Sequence, residues 1–216
     1  MLLELRDISK SYEDANILDG VSLSLEAGKS VAVVAPSGAG KSTLLSIAGL
    51  LLRPTSGQVI IDGLDTATLD DDELSALRCQ RIGFLFQHTH LIGSLRAIEN
   101  VGIPADFLPR EARLSTADIN ARAKEMLDHL GLEDRLYHFP SQLSNGQKRR
   151  IATARALFLN PRLIIADEPT NDLDVANAAN VVDALFSRVE SGEAGLLIAT
   201  HDAALAERAD DILELA

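Results

Sequence analysis

Short apolar runs and longer segments with helical spacing alternate along this chain. Residues 30–34 form a β-branched run that ends at Ala35-Pro36-Ser37-Gly38, and good helix formers follow at residues 42–51. This order predicts a strand, a glycine-rich loop and a helix. Two further strands are predicted at residues 57–63 and 81–87, so the first part of the chain is expected to form a sheet with helices.

The middle of the chain has the spacing of helices. Over residues 115–130, apolar side chains recur at helical intervals at Ala123, Met126, Leu127 and Leu130. Ser115 and Asp118 are placed for a capping box, and Gly131 is placed to end this helix. A second helix is predicted at residues 144–159.

Strand signals return after this helical stretch. Strands are predicted at residues 163–166 and 195–200, on either side of a helix at 176–190. Strands and helices that alternate in this way are typical of a parallel sheet with both faces covered. The pattern therefore predicts a parallel α/β core interrupted by a helical insertion at about residues 87–159, in which the proline-punctuated residues 103–109 form a loop.

Composition bounds the class of protein. A chain of 216 residues with 46% hydrophobic and 24% charged residues is expected to fold as one principal soluble domain. The 20 basic and 32 acidic residues give a net charge of −12, which disfavours nucleic acid as a partner. The longest apolar stretch, residues 44–52, is far below the roughly 18 residues of a spanning helix, and no secretory signal is visible, so a cytoplasmic protein is expected. The single cysteine, Cys79, is assigned no role.

The segment Gly38-Ala39-Gly40-Lys41-Ser42-Thr43 directly follows the first β-branched strand. Backbone N–H groups in such a turn surround polyphosphate oxygens, Lys41 is expected along the β and γ phosphates, and the Ser42 hydroxyl is expected to hold Mg²⁺. The usual pattern begins with glycine, and Ala35 stands there instead. We expect Ala35 to lie at the strand end with negative φ, outside the direct phosphate shell.

Two more segments carry chemistry. An apolar strand ends at Asp167 and Glu168, and alternation along a strand lets Asp167 face Mg²⁺ while Glu168 orients or deprotonates water. Alone, this pair would also fit a strand end with solvated acids.

Ser144-Asn145-Gly146-Gln147 opens a helix and forms a second candidate anion site, although alone it would equally fit an N-capped surface helix. Two anion sites in one chain suggest a γ-phosphate held between two chains.

Together, in this order, these motifs resemble the nucleotide-binding subunit of an ABC transporter over essentially all 216 residues. Leu143-Ser144-Asn145-Gly146-Gln147 is similar to the family signature Leu-Ser-Gly-Gly-Gln, with Asn145 replacing the first glycine. The resemblance implies a single domain with an α/β, RecA-like P-loop NTPase fold: a parallel-sheet core, an inserted helical subdomain and an N-terminal antiparallel β region. The core would comprise residues 1–87 and 160–216, and the helical signature subdomain residues 88–159.

The resemblance also implies residue roles. Gln87 matches the family's glutamine that senses Mg²⁺ and the transmembrane partner, His201 matches the switch histidine, and Tyr12 falls where an aromatic residue stacks on adenine. Asp172 and Asp174 match the loop that links the two sites. From the residues alone, a histidine at a strand end would be an ordinary surface residue, and a tyrosine there is more often partly buried for packing.

The expected site is therefore composite. The catalytic residues are Glu168, His201, Lys41 and Gln87, and the Mg²⁺ ligands are Ser42, Gln87 and Asp167. ATP is expected to contact Tyr12, Ser37, Gly38, Ala39, Gly40, Lys41, Ser42 and Thr43 of one subunit. It is expected to contact Ser144, Asn145, Gly146 and Gln147 of the second.

Residues 82–101 are similar to the branch of lipoprotein-releasing, macrolide-exporting, haem-exporting and cell-division ATPases. This resemblance implies a homodimeric ATP hydrolase at the cytoplasmic face of the membrane, driving a separate permease in export or extraction. His88 and His90 invite a metal interpretation, yet histidines alternating in an exposed loop bind metal infrequently without further ligands, and we place the permease contact at residues 87–95 instead.

Three alternatives bear on the function. The first is an ATP-driven regulator of a membrane complex that moves no solute, as in the cell-division branch. The second, a soluble ABC ATPase acting on DNA or ribosomes, is disfavoured by the net charge of −12 and by the lack of a coiled coil or a duplicated cassette. The third, a small kinase, leaves residues 144–147 unexplained.

Overall fold

Two sheets separate the antiparallel strands from the parallel ones. The structure is a computed structural model, and it describes residues 1–13, 15–36 and 38–215. Within these residues, four antiparallel strands pair in the order β2-β1-β4-β5. Their bounds are β1 Leu3–Tyr12, β2 Ala15–Leu25, β4 Ser56–Ile61 and β5 Leu64–Asp65. The N-terminal antiparallel region is thus confirmed.

Five strands form the second sheet, in which every pairing is parallel. Among the described residues the strand order is β6-β7-β8-β3-β9. These strands are almost fully buried in the centre of the sheet, as expected for a parallel sheet covered on both faces. Their bounds are β3 Ser30–Val34, β6 Ile82–Leu85, β7 Leu163–Asp167, β8 Gly195–Ala199 and β9 Asp211–Glu214.

Seven α-helices connect these strands in the part of the chain that the structure describes. Their bounds are α1 Lys41–Ala48, α2 Asp71–Arg81, α3 Ala97–Gly102, α4 Thr116–His129, α5 Asn145–Leu157, α6 Val175–Glu190 and α7 Ala203–Glu207. The α/β fold with a parallel core is confirmed, and none of these helices is long and apolar enough to cross a bilayer.

Several boundaries differ from the predicted ones. The helix predicted at residues 42–51 already ends at Ala48, because Gly49 follows as its cap and Leu50 has a positive φ of 60°. The strand predicted at 81–87 is shorter, since Arg81 completes α2 and the chain leaves the sheet after Leu85. Residues 103–109, predicted as a loop, contain a 3₁₀ turn at Ile103–Phe107.

The helices α3, α4 and α5 share an apolar core of their own. Its buried members all lie within residues 97–158 and include Val101, Leu127, Ile151 and Phe158. The predicted capping box at α4 forms only in part: Ser115 Oγ accepts from the Asp118 N–H, while the Asp118 carboxylate accepts from the Ser115 hydroxyl rather than from the Ser115 N–H. Gly131 ends this region in the left-handed conformation. This stretch thus has an apolar core of its own, while the subdomain bounds of 88–159 stay a prediction.

Candidate functional site

The carboxyl ends of β3, β7 and β8 meet at one edge of the parallel sheet. The chain continues from β3 into the glycine loop and α1, from β7 into Glu168, and from β8 into Thr200 and His201. Parallel neighbours end on the same side, so segments that are far apart in sequence come together there. This edge is where open α/β sheets bind ligands.

The glycine loop has a backbone that only glycine adopts readily. Gly38 and Gly40 have φ of 85° and 88°, and Gly40 caps the N-terminus of α1. A Cβ on Gly40 would also lie 2.9 Å from the carbonyl oxygen of Ile17. Ser37, predicted to bind ATP, lies outside the described residues. The loop therefore has the open, N–H-rich form that a phosphate group needs.

The Lys41 side chain bonds to the first residues of the glycine loop. Its Nζ donates a hydrogen bond to the Ala35 carbonyl oxygen at 2.7 Å and a longer one to Pro36 at 3.3 Å. Ala35 follows the end of β3 and is not among the non-glycine residues with positive φ. The predicted conformation of Ala35 is thus confirmed, and its main role in this structure is to present a carbonyl to Lys41.

Ser42 and Asp167 bring two oxygen ligands together. The Ser42 Oγ donates to Asp167 Oδ2 at 2.7 Å, although 125 residues separate them in sequence. Burial raises the pKa of the Asp167 carboxyl, and the hydrogen bond from Ser42 opposes that rise. A hydroxyl and a buried carboxylate are the hard oxygen donors that Mg²⁺ prefers.

Glu168 is held in a strained conformation. It is only 9% exposed and has a φ of 46°, in the left-handed region that a non-glycine residue seldom adopts. Its N–H donates to the Ala199 carbonyl oxygen at 2.9 Å, and its Oε2 lies 2.8 Å from Nδ1 of His201. Such conformations persist where the surrounding structure enforces them, and they cluster at functional sites.

His201 is paired with Glu168 yet remains accessible. Its side chain is 69% exposed, whereas the partner carboxylate is almost covered. The residue before it, Thr200, donates its N–H to the Val33 carbonyl oxygen at 3.2 Å, which ties the end of β8 to β3. The structure therefore brings two of the four predicted catalytic residues, Glu168 and His201, into direct contact.

A cavity of about 350 Å³ joins most of the residues predicted to bind ATP and Mg²⁺. Tyr12 forms one rim, where its ring is half exposed and Lys10 Nζ lies 5.0 Å from the ring centre. The other lining residues are Ile17, Gly38, Gly40, Lys41, Ser42, Thr43, Gln87, Asp167 and Glu168. Residues 144–147 are not among the described residues that line it.

The Ser144 segment forms a closed helix cap instead. Ser144 Oγ accepts from the Gln147 N–H at 3.2 Å, and Gln147 Oε1 accepts from the Ser144 N–H at 2.9 Å. Gly146 lies against α6, and a Cβ there would be 2.8 Å from the Asn177 side chain. Asn145 faces a different, smaller cleft of about 160 Å³, which Gln87 and Asp172 also line.

Asp172 and Asp174 lie between β7 and α6. Asp172 has a φ of 60°, which marks a tight turn, and Asp174 is the N-cap of α6. Hydrogen bonds from the backbone and the side chain of Asn177 hold the pKa of Asp174 below its usual range. Since Asn177 also packs against Gly146, this acidic turn and the Ser144 cap form one continuous surface.

The sequence analysis missed two arginines of α5. Arg149 donates to the carbonyl oxygens of Phe86 and Gln87, and Arg155 donates to those of Thr89 and His90. A signal was present, because Arg149 lies three residues after the buried Gly146 and four before the buried Thr153. That spacing places Arg149 on the buried side of the helix.

A glycine loop between a parallel strand and a helix, with a serine–aspartate pair beside it, defines a P-loop nucleoside triphosphatase. The sequence profile of the family described as "ABC transporter" matches residues 18–171. The chain therefore belongs to the ABC transporter family, as an ATPase that binds and hydrolyses ATP.

Curated relatives and solved structures resemble the chain over nearly its full length. It is 41% identical to the lipoprotein-releasing system ATP-binding protein LolD of Hyphomonas neptunium, covering 99% of this chain and 94% of the relative. It is 44% identical to the macrolide export ATP-binding/permease protein MacB of Escherichia coli, covering 99% of this chain and 33% of MacB. The ATP-binding cassette MJ0796, solved as a dimer in a post-hydrolysis state with ADP and Pi, superimposes with a TM-score of 0.92 at 39% identity, covering 99% and 94% of the two chains.

Proposed function

We propose that two copies of this chain close on two molecules of Mg·ATP and that hydrolysis reopens the pair to drive a separate membrane permease. The observation that carries this proposal is the division of the site. The cavity at the sheet edge gathers Lys41, Ser42, Asp167 and Glu168, and residues 144–147 do not line it. The dimeric form of the similar cassette MJ0796 supports a second copy as the source of the Ser144 segment.

The donors of the cavity fit a nucleotide and a magnesium ion. The N–H groups of the Gly38 to Gly40 turn and the N-terminus of α1 suit phosphate oxygens, and Lys41 exchanges its carbonyl partners for them. Ser42, Asp167 and the Gln87 amide supply neutral and anionic oxygens for Mg²⁺. When bound, Mg²⁺ neutralises developing phosphate charge.

The chain's own residues then divide the work. Lys41 stabilises negative charge on the phosphates, and the Glu168 carboxylate orients the attacking water or accepts its proton. His201 holds the Glu168 side chain through the 2.8 Å contact and presents its exposed ring toward the γ-phosphate. Tyr12 provides the surface for adenine. From the second copy, Ser144 and the N-terminus of α5 complete the phosphate shell.

The names of the two curated relatives refer to lipoprotein release and to macrolide export. We infer the same kind of work here: extraction or export of an amphiphilic substrate by a permease that holds the ATPase pair at the cytoplasmic face of the membrane. The permease contact is assigned to residues 87–95. This segment leads from the cavity to the exposed side chain of Ile92, so it links nucleotide to partner.

The proposal is tested first on the purified chain. Mg²⁺-dependent ATP hydrolysis is expected in the parent and not in Lys41→Ala, whose fold should be intact. The chain is then reconstituted in liposomes with the membrane protein that copurifies with it. Stimulation of hydrolysis by a lipoprotein substrate would support extraction, whereas stimulation by assembly with a membrane complex, without movement of any solute, would favour a regulator.

A further inference from the structure

Arg149 is a buried cation between α5 and the chain at Phe86 and Gln87. It lies on α5, five residues after Ser144, and is only 5% exposed. Its Nη1 donates to the Phe86 carbonyl oxygen at 2.6 Å and its Nη2 to the Gln87 carbonyl oxygen at 2.5 Å. The planar guanidinium can bridge two successive carbonyls because its N–H groups form a fixed fork.

A second arginine of the same helix continues this pattern. Arg155 donates from Nη1 to His90 O at 2.9 Å and from Nη2 to Thr89 O at 2.6 Å. Four carbonyls of residues 86–90 are therefore held by two side chains of α5. We call residues 86–90 the Gln87 loop. Of the two arginines, Arg149 alone contacts Gln87 itself.

The carbonyls are the direct partners of the Arg149 charge. None of the ion pairs found among residues 1–13, 15–36 and 38–215 involves Arg149. Burial lowers the pKa of its guanidinium, which Asp172 and Asp167 oppose from a longer range. A buried charge without a counterion is stable only when its hydrogen bonds are satisfied, so Arg149 and the Gln87 loop depend on each other.

We propose that Arg149 is a positioning residue that fixes Gln87 relative to the Ser144 end of α5. This inference rests on the proposed function, in which Ser144 meets nucleotide across the dimer and Gln87 meets Mg²⁺ within the subunit. An α-helix is stiff over the short distance from Ser144 to Arg149, about 1.5 Å per residue. Movement of the Ser144 cap is therefore transmitted to the Gln87 backbone, and through it to the amide that lines the cavity.

The test compares full-length Arg149→Met and Arg149→Lys with a matched control on the same helix. Arg150 is the next residue, and its Nη1 donates to the Leu130 carbonyl oxygen at 2.7 Å near the end of α4 rather than to the Gln87 loop. Arg150→Met therefore loses a comparable contact elsewhere. For each protein, amide hydrogen exchange of residues 86–90, nucleotide affinity and the Mg²⁺ dependence of ATP hydrolysis are measured.

We expect Arg149→Met to speed amide hydrogen exchange in the Gln87 loop by about tenfold or more. The substitution removes two of the four hydrogen bonds that hold the loop to α5, so the loop opens locally more often. The Mg²⁺ concentration for half-maximal hydrolysis should rise, and the maximal rate should fall about tenfold through misplacement of Gln87. Nucleotide affinity should stay within about threefold, because Lys41 and its loop are untouched. Arg149→Lys should fall between parent and Arg149→Met, since an ammonium keeps the charge without the fork.

Parent-like exchange and parent-like Mg²⁺ dependence in folded Arg149→Met would overturn the inference. The same changes in Arg150→Met would also overturn it, because they would reflect general loosening of α5. If Arg149→Met does not fold, Arg149→Lys carries the test with the same readouts. A parent without Mg²⁺-dependent hydrolysis would overturn the proposed function instead, and the exchange measurement would still decide whether Arg149 holds the Gln87 loop.

Discussion

The two halves of the candidate site are built in opposite ways. At the sheet edge, the contacts are long-range: Ser42 meets Asp167 and Glu168 meets His201, each across tens of residues or more. At the start of α5, the contacts of Ser144 and Gln147 are local and close on themselves. The first half is assembled by the fold of one chain. The second is a self-contained cap, which is available to another molecule without refolding.

This contrast explains why one half reads as a catalytic centre and the other as a binding surface. Buried or strained groups such as Asp167 and Glu168 are maintained by the parallel sheet around them. The Ser144 cap needs only its helix. Changes in the first half should therefore act within a single subunit, and changes in the second should act only when two subunits meet.

The largest effect is expected for Glu168→Gln, which removes the group assigned to water while keeping a side chain of the same size. Hydrolysis should fall by about two orders of magnitude or more, since general bases contribute rate factors of this size. ATP binding should remain, so that the closed pair accumulates and is seen by size-exclusion chromatography with Mg·ATP. Hydrolysis close to the parent rate would refute the assignment of Glu168.

A matched pair of glycine substitutions separates the halves next. Gly40→Ala forces a Cβ onto a φ of 88° and toward Ile17 O, so ATP affinity of the single subunit should fall about tenfold or more. Gly146→Ala meets the Asn177 side chain instead, and nucleotide affinity of the single subunit should stay unchanged while hydrolysis by the pair falls. The affinity of the single subunit is measured by titration with fluorescent ATP. An equal loss of affinity in both variants would contradict the assignment of Gly40 to the half that binds ATP within one subunit and of Gly146 to the half that acts across the dimer.

A substitution at Asp210 serves as a comparison outside both halves of the site. Its carboxylate accepts hydrogen bonds from Lys29 Nζ and from the N–H and Oγ of the buried Ser30, at the start of β3. Asp210→Asn should lower stability by about 1 kcal/mol. That loss corresponds to a fall in Tm of about 2–4 °C for a domain of this size. The apparent KM for ATP should not change.

The pH dependence of that contribution has a definite sign. The hydrogen bond from Lys29, followed by those from Ser30, holds the pKa of Asp210 below its usual value. A depressed carboxyl pKa means that the stabilisation is present above the unfolded value of about 3.9 and is lost as pH falls through the folded value. The Tm difference between parent and Asp210→Asn should therefore shrink in acid. A difference that persists there would contradict the ion pair as its source.

The smallest effect is expected for Ala35→Gly. Ala35 does not need the positive φ that favours glycine, and its contribution to the loop is a carbonyl that glycine also has. ATP affinity should change no more than a few-fold, with a slight loss of stability from added chain entropy in the unfolded state. A gain of a hundredfold in affinity would show that the methyl group obstructs the nucleotide.

Much of the fold was predictable because its signals are local. The glycine loop after β3 and the caps at Ser115 and Ser144 follow from residue types at fixed spacing, and the structure has each of them. For the second sheet, the sequence predicted that the strands are parallel but not the order in which they pair. Its strand order depends on long-range pairing that no local pattern specifies.

The sequence predicted the separate motifs of the site better than the contacts between them. Contact between Ser42 and Asp167 follows once β3 and β7 end at the same edge, yet the strain at Glu168 and its bond to His201 required the fold. Arg149 was missed because a charged residue in a run of basic residues reads as solvent-exposed, whereas here backbone carbonyls satisfy it.

The shared site is tested most directly by combining two defective subunits. Lys41→Ala and Ser144→Arg, each also carrying Glu168→Gln so that bound ATP is retained, are given different tags, mixed with Mg·ATP and isolated as heterodimers. The account predicts one retained ATP per heterodimer, because the Ser144→Arg subunit supplies Lys41 and the Lys41→Ala subunit supplies Ser144 to the same site. Neither variant alone should form a closed homodimer that retains ATP through isolation, although the Ser144→Arg subunit can still bind ATP reversibly. Retention by either homodimer, or none by the heterodimer, would contradict a site completed by the second subunit.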